Sequence, residues 1–321
     1  MYVGSCNGYF RRLDAATGKV LWQTNVRDGA AKQYFFHGDV FVAPDRIVAS
    51  ADVDAATGAE AGVHAFDTAS GRQLWKYSAG RGVLGAVAGS ESRVFAYTAA
   101  GDLIALNLAS GKLEWTYALK AAAWESPAVT GARVVAGSSD GSVIALDSQT
   151  GRVHWERKLK APVATSIRAS GSDVYTATAD GLLYRLDLDT GEVRSSWGID
   201  VVLKPVSAPV LVADAVLLLL ADNQANYRAV VSLNPTLTRV RWRRNASDRW
   251  TTSRVFATAR SVFVGAPSGE VTAYCLSDGT SAWSYTLANA PIRSIGGTDD
   301  RLLVGTPSGS LYALRLPRVC M

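Results

Sequence analysis

Histidine and cysteine are scarce, three of each among 321 residues. His37, His64 and His154 stand singly, so none has the spacing of a metal-ligand pair, and no metal site is expected. Cys6, Cys275 and Cys320 show neither C-x-x-C nor any other metal or redox spacing. Long apolar runs are missing too. The most apolar stretch, Ala208 to Ala221, contains Asp214 and reads as two buried strands, well short of the ~18 residues of a membrane helix. No transmembrane segment is expected. Charge of one sign is weak: the formal net charge is +5 and charged residues make up 19%. Nucleic-acid binding needs a dense basic face or stripe, so it is not expected. The N-terminal MYVGSCNGYF has neither a basic nor an apolar leader region, and no G-x-S-x-G, Walker or dinucleotide motif has a suitable context.

What the chain does have is repetition. One phrase recurs: a β-branched strand, a Gly turn, a strand ending in Leu-Asp, a Thr-Gly or Ser-Gly turn, and a strand carrying Trp. It reads GVHAFDTASGRQLW from Gly62, GDLIALNLASGKLEW from Gly101 and GSVIALDSQTGRVHW from Gly141. GLLYRLDLDTGEVRSSW from Gly181 continues it, with degenerate copies from Tyr227 and Gly269 and a last one, GSLYALRL, from Gly309. The repeat tryptophans are Trp22, Trp75, Trp115, Trp155, Trp197, Trp242 and Trp283, spaced 53 residues at first and 40 to 45 thereafter. Such a period belongs to a propeller or a solenoid. Segments such as VIALD, five apolar or alternating residues between turn residues, are strands. No window carries a helical period. Gly in SSDG, TADG, APSG and TPSG supplies the positive φ of a hairpin turn, and Asp in D-x-x-T-G is placed to accept from nearby backbone amides.

The A-L-D-x-x-T-G-x-x-x-W phrase resembles the Trp-docking motif of PQQ-like repeats, found in quinoprotein dehydrogenases and in the outer-membrane assembly lipoprotein of the Bam complex. The resemblance covers essentially the whole chain and implies an all-β fold. That fold is an eight-bladed β-propeller of four-stranded antiparallel blades with Trp-docking motifs, forming one domain over residues 1–321. Six units look complete. The first has only its last three strands before Val26, and the final one only its first three after Pro291. Eight blades then call for about two more strands, so the natural chain is expected to start upstream of Met1. Quinoprotein dehydrogenases carry an adjacent cysteine pair and Glu, Asn and Asp ligands for calcium beside a catalytic Asp. None of these matches a position here, so no quinone or other cofactor is expected.

Residues that break the repeat mark a candidate binding face, on the side where each outer strand hands over to the next blade. They are Tyr34, His37, Arg81, Trp124, Glu125, Arg168, Lys204, Arg249, Trp250 and Arg293. Aromatic and mostly positive, they suit an anionic ligand or an acidic, apolar protein epitope; packing tryptophans and solvated cations are the plainer reading. Two insertions stand out, ADVDAATGAEAG from Ala51 and ADNQANYRA from Ala221. Asp52, Asp54 and Glu60 in the first lack the spacing of a calcium loop. RVRWRR from Arg239 reads as a strand with Val240 and Trp242 inward and Arg239, Arg241 and Arg243 outward, charges that protect an edge. Cys6 and Cys320, near opposite termini, either pair or remain thiols.

The expected function is a non-catalytic, protein-binding scaffold of the bacterial cell envelope, monomeric and similar to an outer-membrane protein assembly propeller. Its periplasmic or envelope location is implied by the resemblance, with the cytoplasm as the alternative. The competing reading is an enzyme or small-molecule binder, without bound PQQ, using a central funnel near Trp124, Glu125, Arg249 and Trp250, where Glu125 beside an aromatic would serve acid–base work.

Overall fold

The computed structural model describes residues 1–5, 8–28, 32–36, 38–53, 62–79, 82–123, 126–198, 203–222, 228–245, 255–287, 290–316 and 319–320. Among these the only regular structure is β, in eight antiparallel sheets that follow one another along the chain. They form two compact units, residues 1–163 with 189–191, and residues 164–188 with 192–321.

In the first unit, the first sheet has three strands, Tyr2–Gly4, Tyr9–Leu13 and Val20–Asn25. The second is built on Arg46–Val53, Gly62–Asp67 and Gln73–Ser78. Its inner lane is split into Lys32–Phe35 and Phe41–Val42, and Arg27–Asp28 adds an outlying hairpin strand. The third (Val83–Gly89, Arg93–Thr98, Asp102–Asn107, Leu113–Ala118) and fourth (Ala128–Thr130, Arg133–Gly137, Ser142–Asp147, Val153–Lys158) have the four strands the repeat predicts.

The second unit holds the fifth sheet, Arg168–Ser170, Asp173–Ala177, Leu182–Asp187 and Val193–Gly198, apart from its turn at 189–191. In the sixth, the inner lane is again split, Lys204–Pro205 and Val210–Val212 both pairing with Ala215–Ala221, followed by Arg228–Leu233 and Val240–Asn245. The seventh (Phe256–Ala257, Ser261–Gly265, Glu270–Cys275, Ser281–Thr286) is four-stranded, and the eighth (Ser294–Gly297, Arg301–Gly305, Leu311–Arg315) stops at three. The incomplete first and last copies in the sequence are thus three-stranded sheets.

Within each unit, cores lie between successive sheets. Ala215–Ala221 is apolar throughout because it is covered on both faces: Val216, Leu218 and Leu220 pack towards Leu183 and Leu203, while Leu217 and Leu219 pack towards Val262 and Val264. A strand with two covered faces needs no polar alternation. His64, fully buried, clusters with the rings of Phe36 and Phe66, 6.1 and 6.2 Å from their centroids.

The docking phrase has a constant geometry. In every sheet with an outer strand, one extra residue bulges just before the repeat position of Trp. The bulge re-aims the next side chain. The indole N–H then donates to a carbonyl of the following sheet's turn: Trp22 to Thr68 O at 3.0 Å, Trp75 to Leu108 O at 2.9 Å, Trp115 to Ser148 O at 3.2 Å and Trp242 to Leu276 O at 2.8 Å. Three residues past each acceptor stands a glycine with positive φ, and an added Cβ at Gly71, Gly111, Gly151 or Gly279 would overlap the indole. Only glycine serves at that position, for its φ and for the room it leaves. Trp155 packs on Gly191 in the same way. The turn itself is held by its aspartate: Asp147 Oδ1 accepts from Gln149 N, Thr150 N and Thr150 Oγ1 at 3.1, 2.8 and 2.8 Å.

Three sequence expectations change. Trp197 stands two residues beyond the docking register: Ser195 faces Arg185, where Trp155 faces Ala145. The turn it would dock on lacks the glycine, and Leu237 takes the positive φ of 58° there. Other groups serve this junction, with Tyr175 Oη donating to Pro235 O at 2.9 Å and Ser195 Oγ to Thr236 O at 2.6 Å. Val240, expected inward, is 40% exposed because the bulge at Arg241 breaks the alternation between it and buried Trp242. Arg241 is drawn in by Asp214 at 2.7 Å, while Arg239 and Arg243 do face solvent. Finally, Cys320 pairs with Cys275 rather than with Cys6, which lies outside the described residues. Two turns at the same end of adjacent sheets bring them together.

Candidate functional site

Each outer strand hands over to the next inner strand on the side of the sheet that also carries the turn between its second and third strands, as Leu159 N–H donating to Gly141 O at 2.8 Å shows. His37, Arg81, Trp124, Glu125, Arg249 and Trp250 lie outside the described residues, as do Asp54, Glu60 and the loop at 223–227. Tyr34 lies on Lys32–Phe35 with its backbone opposite Val53. The structure places the remaining three, all in the second unit. Lys204 opens the inner lane of the sixth sheet opposite Ala221, the last residue of the second strand. Arg293 immediately precedes the inner strand of the eighth, its N–H donating to Gly305 O at 2.8 Å. Arg168 sits further along the inner strand of the fifth sheet, opposite Tyr175, partly buried and donating through Nη1 to Ile167 O at 3.3 Å. Lys204 and Arg293 therefore lie near the starts of their inner strands, and Arg168, opposite Tyr175, is set deeper.

Electrostatics separates these cations from others on the same side of their sheets. In the first unit, two of the lysines at the ends of the outer strands are neutralised, Lys120 by Glu156 at 2.9 Å and Lys158 by Asp140 at 2.7 Å, while exposed Lys160 has no ion-pair partner among the described residues. Asp140 also accepts from Ser138 Oγ at 2.5 Å and from Ser142 N at 2.9 Å. Burial would raise its pKa, but Lys158, Ser138 and Ser142 outweigh that and hold the carboxyl well below the usual range. In the second unit, Lys204 and Arg293 are exposed, and among the described residues neither has an ion-pair partner. Arg228, across Ala221 from Lys204, is partly buried and stands apart from these two. Burial lowers its pKa, against a pull from Asp222 in the other direction. Exposed, unneutralised cations beside backbone edges can engage carboxylates with little desolvation cost.

Sequence reasoning missed one polar cluster. On the opposite side of the fifth sheet, Asp173 pairs with Arg185 at 2.9 Å and with Arg194 at 2.5 Å, and Arg194 also pairs with Asp187. The signal was Arg185 standing where most other copies carry alanine or serine and the first carries Arg12. The cluster ties together the second, third and fourth strands of that sheet. Among the described residues, no three His, Cys, Asp or Glu side chains come together as a metal site, and no helix is long and apolar enough to cross a membrane.

The family model described as outer membrane protein assembly factor BamB matches residues 59–285. No curated protein sequence matches the chain. Among solved structures, BamB from Moraxella catarrhalis is 19% identical with a TM-score of 0.78, the match covering 98% of this chain and 93% of that one. The computationally designed Ika8 protein is 14% identical with a TM-score of 0.76, covering 98% and 92%. At these identities the likeness shows the fold, an eight-bladed β-propeller.

Proposed function

The chain belongs to the family of the outer membrane protein assembly factor BamB, and from that membership we propose that it is a non-catalytic, protein-binding scaffold of the bacterial cell envelope that serves outer-membrane protein assembly. The family match over residues 59–285 carries the reading. The Cys275–Cys320 disulfide supports the location, since such bonds form and persist in oxidising compartments such as the periplasm. We place partner binding on the hand-over side of the second unit's sheets, where Lys204 and Arg293 present exposed cations to an acidic segment of the partner.

The purified chain used as bait on detergent-solubilised envelope is expected to retain a protein that inserts outer-membrane β-barrels. The Lys204→Glu/Arg293→Glu double variant, equally folded by circular dichroism, is expected to retain at most a tenth as much. Capture of cytosolic proteins alone would sink the scaffold reading, and undiminished capture by the double variant would move the binding face elsewhere.

A further inference from the structure

The junction between the seventh and eighth sheets lacks the parts of the tryptophan lock. Ala313 faces Leu303 as Ala273 faces Phe263 and Ala145 faces Val135, which fixes the correspondence of the copies. Arg315 then stands where the fourth sheet has Asp147, and Val319 where it has Gly151. The eighth sheet thus offers neither the turn aspartate nor the glycine on which a tryptophan packs. Trp283, whose place would be there, is partly buried, as the docked Trp22 and Trp115 also are. A covalent bond occupies the same junction. Cys275 holds the aspartate position of the seventh turn, its N–H closing on Thr280 O at 2.8 Å as Asp147 N–H closes on Arg152 O at 2.8 Å. Cys320, the residue after Val319, is bonded to it.

We propose that the Cys275–Cys320 pair is a redox-controlled clasp, closed by a disulfide-exchange oxidant, that takes the place of the tryptophan lock and docks the eighth sheet. Exposure sets the order of the chemistry: Cys275 is 9% exposed and Cys320 is the more open of the two. The Cys320 thiolate attacks a sulfur of the oxidant's disulfide, that S–S bond breaks, and a mixed disulfide forms at Cys320. The Cys275 thiolate then attacks the Cys320 sulfur and releases the oxidant as a dithiol. Two electrons pass from the cysteines to the oxidant, and the two thiol protons end on its sulfurs.

Oxidised glutathione is the probe, used on the full chain in a Cys6→Ser background. The Cys275→Ser variant is expected to accumulate glutathione at Cys320 at least tenfold faster than Cys320→Ser accumulates it at Cys275. Equal rates, or the reverse order, would overturn the assigned order. Docking is read on the unmutated cysteine pair, oxidised and then reduced, by amide hydrogen exchange. Reduction is expected to speed exchange over Ser294–Gly297 and Leu311–Arg315 at least tenfold and to leave Arg93–Thr98 unchanged. Equal protection in both states would show that the bond is not a clasp.

Discussion

Trp75→Ala is expected to destabilise the protein by about 3–5 kcal/mol, the range for truncating a large buried aromatic. The ring is 8% exposed, lies on Gly111 and gives its N–H to Leu108 O, so one substitution removes packing, a hydrogen bond and the contact between two sheets. Urea unfolding of the first unit's transition measures it. Trp75→Phe, which keeps most of the apolar area but no donor, should recover part of the loss. The same truncation at Trp197 should cost about 1–2 kcal/mol, since that ring is only partly buried and stands outside the docking register. Equal losses at the two positions would contradict the distinction drawn between them.

Cys320→Ser is expected to cost about 4 kcal/mol, from the loop-closure entropy of a cross-link between residues 45 apart. Cys275→Ser should cost as much, because either change opens the same loop, and a reductant should produce the loss in the parent protein but not in the variants. Thermal unfolding with and without dithiothreitol reads all of these. The loss should fall on the second unit, where both cysteines lie. A reductant effect that survives in Cys320→Ser would point to Cys6 instead.

The repeat made most of the fold legible, because each turn glycine and each tryptophan answers a steric demand that recurs every 40 or so residues. The three-stranded ends followed from counting strands in the copies. Register within a copy was harder to read. Trp197 fits the period, yet it lies six residues past Gly191, whereas Trp75 and Trp155 lie four past Gly71 and Gly151. That offset carried the information that its site had been given to Ser195 and Tyr175. Val240 was misjudged because period-two alternation does not survive a bulge. The Cys275–Cys320 pairing depends on two turns meeting at the edge of neighbouring sheets, a relation that spacing along the chain does not express. At the candidate face, the charge of Lys204 and Arg293 was visible in the sequence. Their lack of ion-pair partners among the described residues, against the pairing of Lys120 and Lys158, needed the structure.

The central claim is tested most directly by measuring folded outer-membrane β-barrel proteins, by their heat-dependent gel mobility, in the source bacterium with and without this gene. The account predicts a severalfold fall in the folded forms on deletion, restored by the wild-type chain and restored less well by Lys204→Glu/Arg293→Glu. Unchanged amounts of folded barrel proteins in the deletion strain would contradict an assembly role.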